Sequence, residues 1–421
     1  MRQQQSLSPD ARRIIAAQAA RALAYGLGSV LIGVTLAHRG LSDTAVGVIL
    51  ASLLAGIAAV SVLIARYGDR IGRRRCYRLL FVAMAVSGSV FALTAWLPAL
   101  ILAALTGTVS TDVVESGPFT SLEQAMLPHA GSETTRLFGT YNTVATLAGS
   151  LGALLALIGS SPRSLLVYPL AAAAGLVAAA QLSPAVERGE ELDAEPLPPL
   201  HRSRGIVMRL SALFALDSFG GGFVPQTFIA YLFVRKYGAS PHTLAIVFFA
   251  IGILQALSFQ GAVRLAARIG LLRTMVFTHL PSNLLLIGVA FAPNLPGAIA
   301  FLLARFLLSQ ADVPTRQAYV MAVVEPSERT AAAAYTNTAR YLTRPIAPLI
   351  AGATLRGALG APFFIAGALK SVYDLGLYAL FRRVPLRETA GDDARRTGTF
   401  GASSTTSPSR SRRKRSARST R

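Results

Sequence analysis

The sequence predicts an all-α membrane protein with twelve transmembrane helices in two pseudo-symmetric six-helix bundles. Three observations carry this: a composition too apolar for water, long uncharged stretches between short basic islands, and landmarks that recur about 200 residues apart. Of 421 residues, 52% are hydrophobic and 14% charged, with a mean hydropathy of +0.49. Soluble domains carry roughly 25% charged residues.

A bilayer core of about 30 Å needs roughly 20 apolar residues per helix. Such stretches lie at 14–37, 44–65, 78–97, 99–126, 135–159 and 164–182, then at 206–234, 240–263, 273–292, 296–324, 328–355 and 361–381. The expected organisation is an N-terminal segment 1–13, a first bundle 14–182, a central loop 183–205, a second bundle 206–381 and a tail 382–421. The first stretch is long and flanked by Arg12 and Arg13, so it is expected to be a retained span and not a cleaved signal.

Basic residues orient the spans. Arg66, Arg70, Arg73, Arg74, Arg75 and Arg78 follow the second stretch, and Arg264, Arg268 and Arg273 follow the eighth. The opposite loops hold fewer, among them Arg39, Arg163 and Arg356. The positive-inside rule then puts both termini and the central loop in the cytoplasm, with the chain in the cell membrane. Of the net charge of +21, the tail supplies twelve basic residues against Glu388, Asp392 and Asp393. Rich in Ser and Arg, it cannot bury enough surface to fold. It reads as a disordered, solvated cytoplasmic tail beside anionic headgroups, with no nucleic acid expected.

The sequence also limits the chemistry. Cys76 is the single cysteine, and His38, His129, His201, His242 and His279 are scattered without metal-ligand spacing. None of Lys236, Lys370 and Lys414 follows a glycine, so no phosphate-cradling loop is present. Neither an enzyme nor a bound cofactor or metal is expected. Work must come from an ion gradient or from the solute gradient itself.

The two sets of spans repeat. Tyr67-Gly68-Asp69-Arg70-Ile71-Gly72-Arg73-Arg74-Arg75 follows the second, and Leu265-Ala266-Ala267-Arg268-Ile269-Gly270-Leu271-Leu272-Arg273 follows the eighth, 198 residues later. Gly40-Leu41-Ser42 aligns with Gly238-Ala239-Ser240 at the same offset. Ser132 to Thr143 aligns with Ser327 to Thr338, 195 residues on. Equal orientation follows, because six crossings return the chain to the same side.

The segment Ala65 to Arg74 resembles the cytoplasmic Gly-x-x-x-Asp-Arg-x-Gly-Arg-Arg signature of the major facilitator superfamily, with Ala65 in place of the first glycine. With the twelve spans and the degenerate second copy, the resemblance covers residues 14–381. It implies a secondary transporter that rocks two bundles between inward- and outward-open states, usually as a monomer. In that family Gly68, Asp69, Arg70, Gly72, Arg73 and Arg74 would form the cytoplasmic gating motif. Topogenic charge alone would also explain the arginines, though not the lone Asp69. The resemblance further implies that helices one, four, seven and ten line a central cavity. Helices two, five, eight and eleven would flank them, with three, six, nine and twelve outside.

Each buried charge costs about 2.5–3.5 kcal/mol on insertion scales and so usually faces a cavity or a partner. Asp112 and Glu115 share one face of the fourth span, where two acids would repel and hold a proton. With Asp217 and Asp312 they are the proton-coupling candidates. Arg21, Asn142, Gln226, Arg316, Asn337, Arg340 and Arg344 are candidates for the substrate cavity. Structural pairing of Asp312 with Arg316, and of Asp217 with an arginine, is the competing reading. Lys370 and Asp374, four apart in the last span, are expected to neutralise each other. Gly220, Gly221, Gly222 and Pro225 are expected to break the seventh helix.

The expected function is secondary active transport of a small molecule across the bilayer, by proton-coupled efflux. Only part of the family's helix-five exporter signature stands at Ala148-Gly149-Ser150-Leu151-Gly152-Ala153. Uptake or exchange of an organic anion, favoured by the arginines, is the alternative, and a non-transporting receptor a more distant one.

Overall fold

The computed structural model describes residues 7–110, 117–127, 134–187, 200–325 and 328–384, and over these the chain is helical with no strand. The first half runs α1 (Pro9–His38), α2 (Asp43–Ile71), α3 (Arg73–Leu93), α4a (Leu97–Leu105) and α4b (Pro118–Met126), α5 (Thr134–Leu154) and α6 (Val167–Ala180). The second runs α7a (Arg204–Gly222) and α7b (Gln226–Tyr237), α8 (Pro241–Ile269), α9 (Leu271–Phe291), α10a (Leu295–Ser309) and α10b (Asp312–Val323), α11a (Arg329–Thr343) and α11b (Ala347–Thr354), and α12 (Ala361–Phe381). Ten segments are long and apolar enough to cross a membrane. The other two, α4 and α11, are each broken near the middle, so the layout is consistent with twelve crossings. Gly107 and Gly117, at φ +67° and +60°, and Pro118 interrupt α4, and a single turn Arg344–Ile346 containing Pro345 interrupts α11.

The sequence repeat is also a repeat of backbone geometry. Gly72 and Gly270 both end a long helix at positive φ, +97° and +85°, and the next helix starts on the following residue. Only glycine takes that conformation without strain. Gly40 and Gly238 likewise sit at +66° and +63°. Two residues on, Ser42 accepts the Ala45 N–H at 3.2 Å and Ser240 accepts the Thr243 N–H at 3.1 Å, each capping a helix N-terminus.

The halves pack through α1 against α7b, α2 against α11b, and α5 against α8. Backbones touch where small residues allow it. A Cβ on Gly47 would lie 2.6 Å from the Pro348 carbonyl, and one on Gly352 2.7 Å from the Asp43 carbonyl. At this end Tyr231 donates to Asp43 Oδ1 at 2.5 Å, Arg235 lies 3.5 Å from the same oxygen, and Arg356 donates to Thr44 Oγ1 at 3.2 Å. These contacts lie opposite the end that carries Arg66 to Arg78. The halves thus enclose a cavity that is sealed at the Asp43 end.

The opposite end is shaped by carboxylates on helix starts. Glu187 accepts the N–H groups of Arg73 and Arg74 at 2.7 and 3.2 Å, and Arg73 donates to the Ala125 carbonyl at 3.0 Å. Glu328 accepts N–H groups from His201, Arg202 and Ser203 at 2.9–3.0 Å, at the entry to α7a.

Candidate functional site

The cavity between the halves measures about 270 Å³, near the lower end of the roughly 300–1,000 Å³ that small-molecule sites occupy. Its two walls differ in character. The first half offers neutral groups, Ser29, Ser110, Thr146 and Ser150 among apolar side chains; every charged lining residue among those described belongs to the second half.

Asp217, on α7a, sits at the centre of that charged wall. Lys370 Nζ of α12 lies 2.5 Å from Asp217 Oδ1, Arg316 Nη1 of α10b 3.7 Å from Oδ2, and His279 Nε2 of α9 3.9 Å from Oδ1. Arg316 also bonds Asp312 Oδ2 at 2.6 Å. Behind His279, Asp374 accepts from His279 Nδ1 at 3.0 Å and from Asn283 Nδ2 at 2.8 Å. The network spans α7, α9, α10 and α12, and its acids and bases are nearly all buried. A buried carboxylate is tolerated at this place because cations surround it.

This corrects two expectations. Lys370 and Asp374 do not neutralise each other: Lys370 turns to Asp217 and Asp374 to His279 and Asn283. Nor do α9 and α12 stand wholly outside, since both His279 and Lys370 line the cavity. The glycine run in α7a makes room for this. A Cβ on Gly220 would stand 3.1 Å from Lys370 Cγ and one on Gly221 3.7 Å from Nζ, so the lysine threads past bare backbone to reach Asp217.

Of the sequence candidates, Asp217, Asp312, Gln226, Arg316, Arg340 and Arg344 all line the cavity. Arg21 does not. It is fully buried within the first half, with Nη2 2.6 Å from Glu123 Oε2 and its guanidinium 4.7 Å from the Phe119 ring centre. Tyr77 donates to the same carboxylate at 2.7 Å, and Tyr141 donates to it as well. This cluster ties α1, α3, α4b and α5 together away from the cavity, and nothing in the sequence separated Arg21 from the cavity cations. Asn142 and Asn337 are exposed and lie outside the cavity wall. Each continues a lining face by one turn, below Thr146 on α5 and below Tyr341 on α11a, and the two correspond at the 195-residue repeat offset. Asp112 and Glu115 lie outside the described residues, as does the side chain of Asp69.

In the gating motif, Gly68 is buried, Arg70 exposed, Gly72 forms the turn, and Arg73 and Arg74 offer N–H groups to Glu187. The described acid at the start of α3 is Glu187, from the far side of α6. Sequence reasoning also missed His279 and Asn283. A single histidine in an apolar span was the available signal, and scattered histidines had been set aside as metal ligands only.

Comparison with known proteins agrees with this architecture. The family model of the Major Facilitator Superfamily matches residues 14–348. The chain is 26% identical to Uncharacterized membrane protein YJR124C of Saccharomyces cerevisiae, over 89% of this chain and 94% of that one. Among solved structures it resembles nucleoside transporter NupG, at a TM-score of 0.72 with 14% identity over 89% of this chain and 99% of that one. It also resembles a D-xylose-proton symporter, at 0.67 with 17% identity over 89% and 98%. At such identities the two structures bear on the fold alone. A family match across most of the chain, an all-helical fold and a cavity between matched halves together make this multi-pass membrane protein a transporter of the major facilitator superfamily.

Proposed function

We propose that the chain is a proton-coupled secondary transporter that moves a small organic anion by alternating access, with Asp217 as the coupling carboxylate. The observation that carries this is the 2.5 Å Lys370–Asp217 pair on the cavity wall, with Arg316 and His279 around it. Protonating Asp217 removes one negative charge from the wall that holds Arg305, Arg316, Arg340, Arg344 and Lys370. The cations released from Asp217 then attract an anion more strongly. By linkage the bound anion holds the proton more tightly. Proton and anion load together, and that is the logic of symport.

Efflux by proton exchange works the other way, with cargo and proton competing for one carboxylate, as a cationic cargo would. The release of Lys370 and Arg316 when Asp217 is protonated therefore favours uptake over efflux. With the termini in the cytoplasm, the sealed Asp43 end faces outward and the cavity is poised to exchange with the cell interior. An inward-moving proton contributes about 2.3 kcal/mol per 100 mV of potential, and an accompanying monoanion cancels the charge moved, so the pH difference becomes the driving force.

Purified protein in liposomes, given a panel of radiolabelled carboxylates under an acid-outside gradient, tests this. The wild type should accumulate at least one above equilibrium, and Asp217→Asn should only equilibrate it. Equal accumulation by both would remove Asp217 from coupling, and gradient-insensitive flux in the wild type would remove coupling altogether.

A further inference from the structure

We infer that the Arg305 guanidinium is the seat of the substrate's carboxylate, and that the cargo is a compact monocarboxylate; this rests on reading the cavity as the transport path. Arg305 lies on α10a, is 8% exposed and lines the cavity. Its neighbours on the charged wall are engaged: Lys370 with Asp217, and Arg316 with Asp312 and Asp217. Arg305 has no described hydrogen bond or ion pair, its Nε is buried without an acceptor, and its described close contact is the face of Phe306, 4.8 Å from guanidinium carbon to ring centre.

A buried guanidinium nitrogen without a hydrogen-bond acceptor is costly, so such a group is a place where an acceptor is expected to arrive. One turn further along the same face, Ser309 lines the cavity with its hydroxyl also buried and without a partner. A forked donor with a hydroxyl beside it matches the two oxygens of a carboxylate. One open cation also matches one negative charge. While Asp217 is ionised and holds Lys370 and Arg316, a dianion would carry a second charge into the cavity with its hydration shell removed and no described cation left open to receive it. The cavity volume of about 270 Å³ limits the cargo to a small molecule. Phe306, stacked on the guanidinium and itself lining the cavity, offers the cargo's apolar body a surface.

If Arg305 waits for a counter-ion, replacing it with an apolar side chain of similar length relieves the empty protein. Arg305→Met should raise the unfolding midpoint of the detergent-solubilised, ligand-free protein above that of the wild type; a fall would mean that Arg305 has a structural partner, and would overturn the inference.

The second arm uses carboxylate and carboxamide pairs of matched shape, nicotinate with nicotinamide, benzoate with benzamide and pyruvate with pyruvamide, and follows binding by thermal shift and calorimetry without any pH gradient. In the wild type at least one carboxylate should bind at least about tenfold more tightly than its amide. Arg305→Gln should erase that preference, and Arg305→Lys, which keeps the charge and loses the fork, should keep part of it. A preference retained in Arg305→Gln, or no pair distinguished by the wild type, would overturn the inference. Because no gradient is applied, failure of coupling at Asp217 leaves these outcomes unchanged, and the two ideas stand or fall separately.

Discussion

Lys370 reaches Asp217 across the α7–α12 contact, 2.5 Å between Nζ and Oδ1, through a gap that two glycines leave open. A buried pair of this kind is weak evidence for stability as a whole, yet breaking it on one side leaves an uncompensated charge, at a cost of about 3–5 kcal/mol. Lys370→Met should therefore lower the unfolding midpoint, with Arg316 and His279 softening the loss. The double change Lys370→Met with Asp217→Asn should recover most of it. If the double variant is no more stable than the single, the pair is not the interaction that matters.

The glycines can be tested through the same pair. Gly220→Val places branched carbon where Lys370 Cγ now runs, since even a Cβ would stand only 3.1 Å away. Its effect on the midpoint should be largely contained in that of Lys370→Met, so the two combined should cost far less than their sum. Additive losses would show that Gly220 acts elsewhere.

The Arg21–Glu123 pair should behave differently from the cavity charges. Glu123 holds Arg21, Tyr77 and Tyr141, all buried in the first half, and no member of that cluster lines the cavity. Glu123→Ala should cost about 3–5 kcal/mol of stability while leaving the apparent KM for any transported carboxylate near that of the wild type. A KM change of about tenfold in protein that remains folded would place the cluster in the substrate path.

Asp43 joins the halves at the sealed end through Tyr231 and Arg235. Asp43→Asn should weaken that seal by about 1.4 kcal/mol and so raise the population open at this end roughly tenfold. A cysteine placed at Ser29, on the cavity wall, reports it by its labelling rate with a membrane-impermeant thiol reagent added from outside. An unchanged rate would mean that the apolar contact of Gly47 with α11b holds the end closed by itself.

Glu328 lies outside the spans, and its carboxyl is held down to about 2 by the N–H of His201, the Ser203 hydroxyl and the N–H groups of Ser203 and Arg202. A lowered acid contributes stability above its ordinary value of 4.5, and the contribution fades as pH falls from there towards 2. Protection of the His201, Arg202 and Ser203 N–H groups in hydrogen exchange, corrected for intrinsic rates, should therefore fall below pH 4.5, and Glu328→Gln should lack it already at neutral pH. A pH-independent difference between the two proteins would contradict the clasp.

Much of this molecule was legible because bilayer length and period are written in composition. Gly72 and Gly270, Ser42 and Ser240 announced the repeat, and each pair adopts one geometry. Which charges meet was less legible. Spacing on one helix suggested Lys370 with Asp374, but a side chain four residues away loses to a carboxylate facing it across a glycine gap, and that gap depends on how helices cross. Arg21 shows the same limit: its sequence context resembles that of Arg305, and only packing separates a satisfied ion pair from an open guanidinium.

In the proposed mechanism, proton and anion load together at Asp217. Proton exchange on adding a bound carboxylate to purified protein in weakly buffered solution, read with a pH dye, measures it directly. Proton uptake by the wild type and none by Asp217→Asn is the predicted result. Proton release by the wild type would mean that cargo and proton compete, and would turn the transporter into an exchanger.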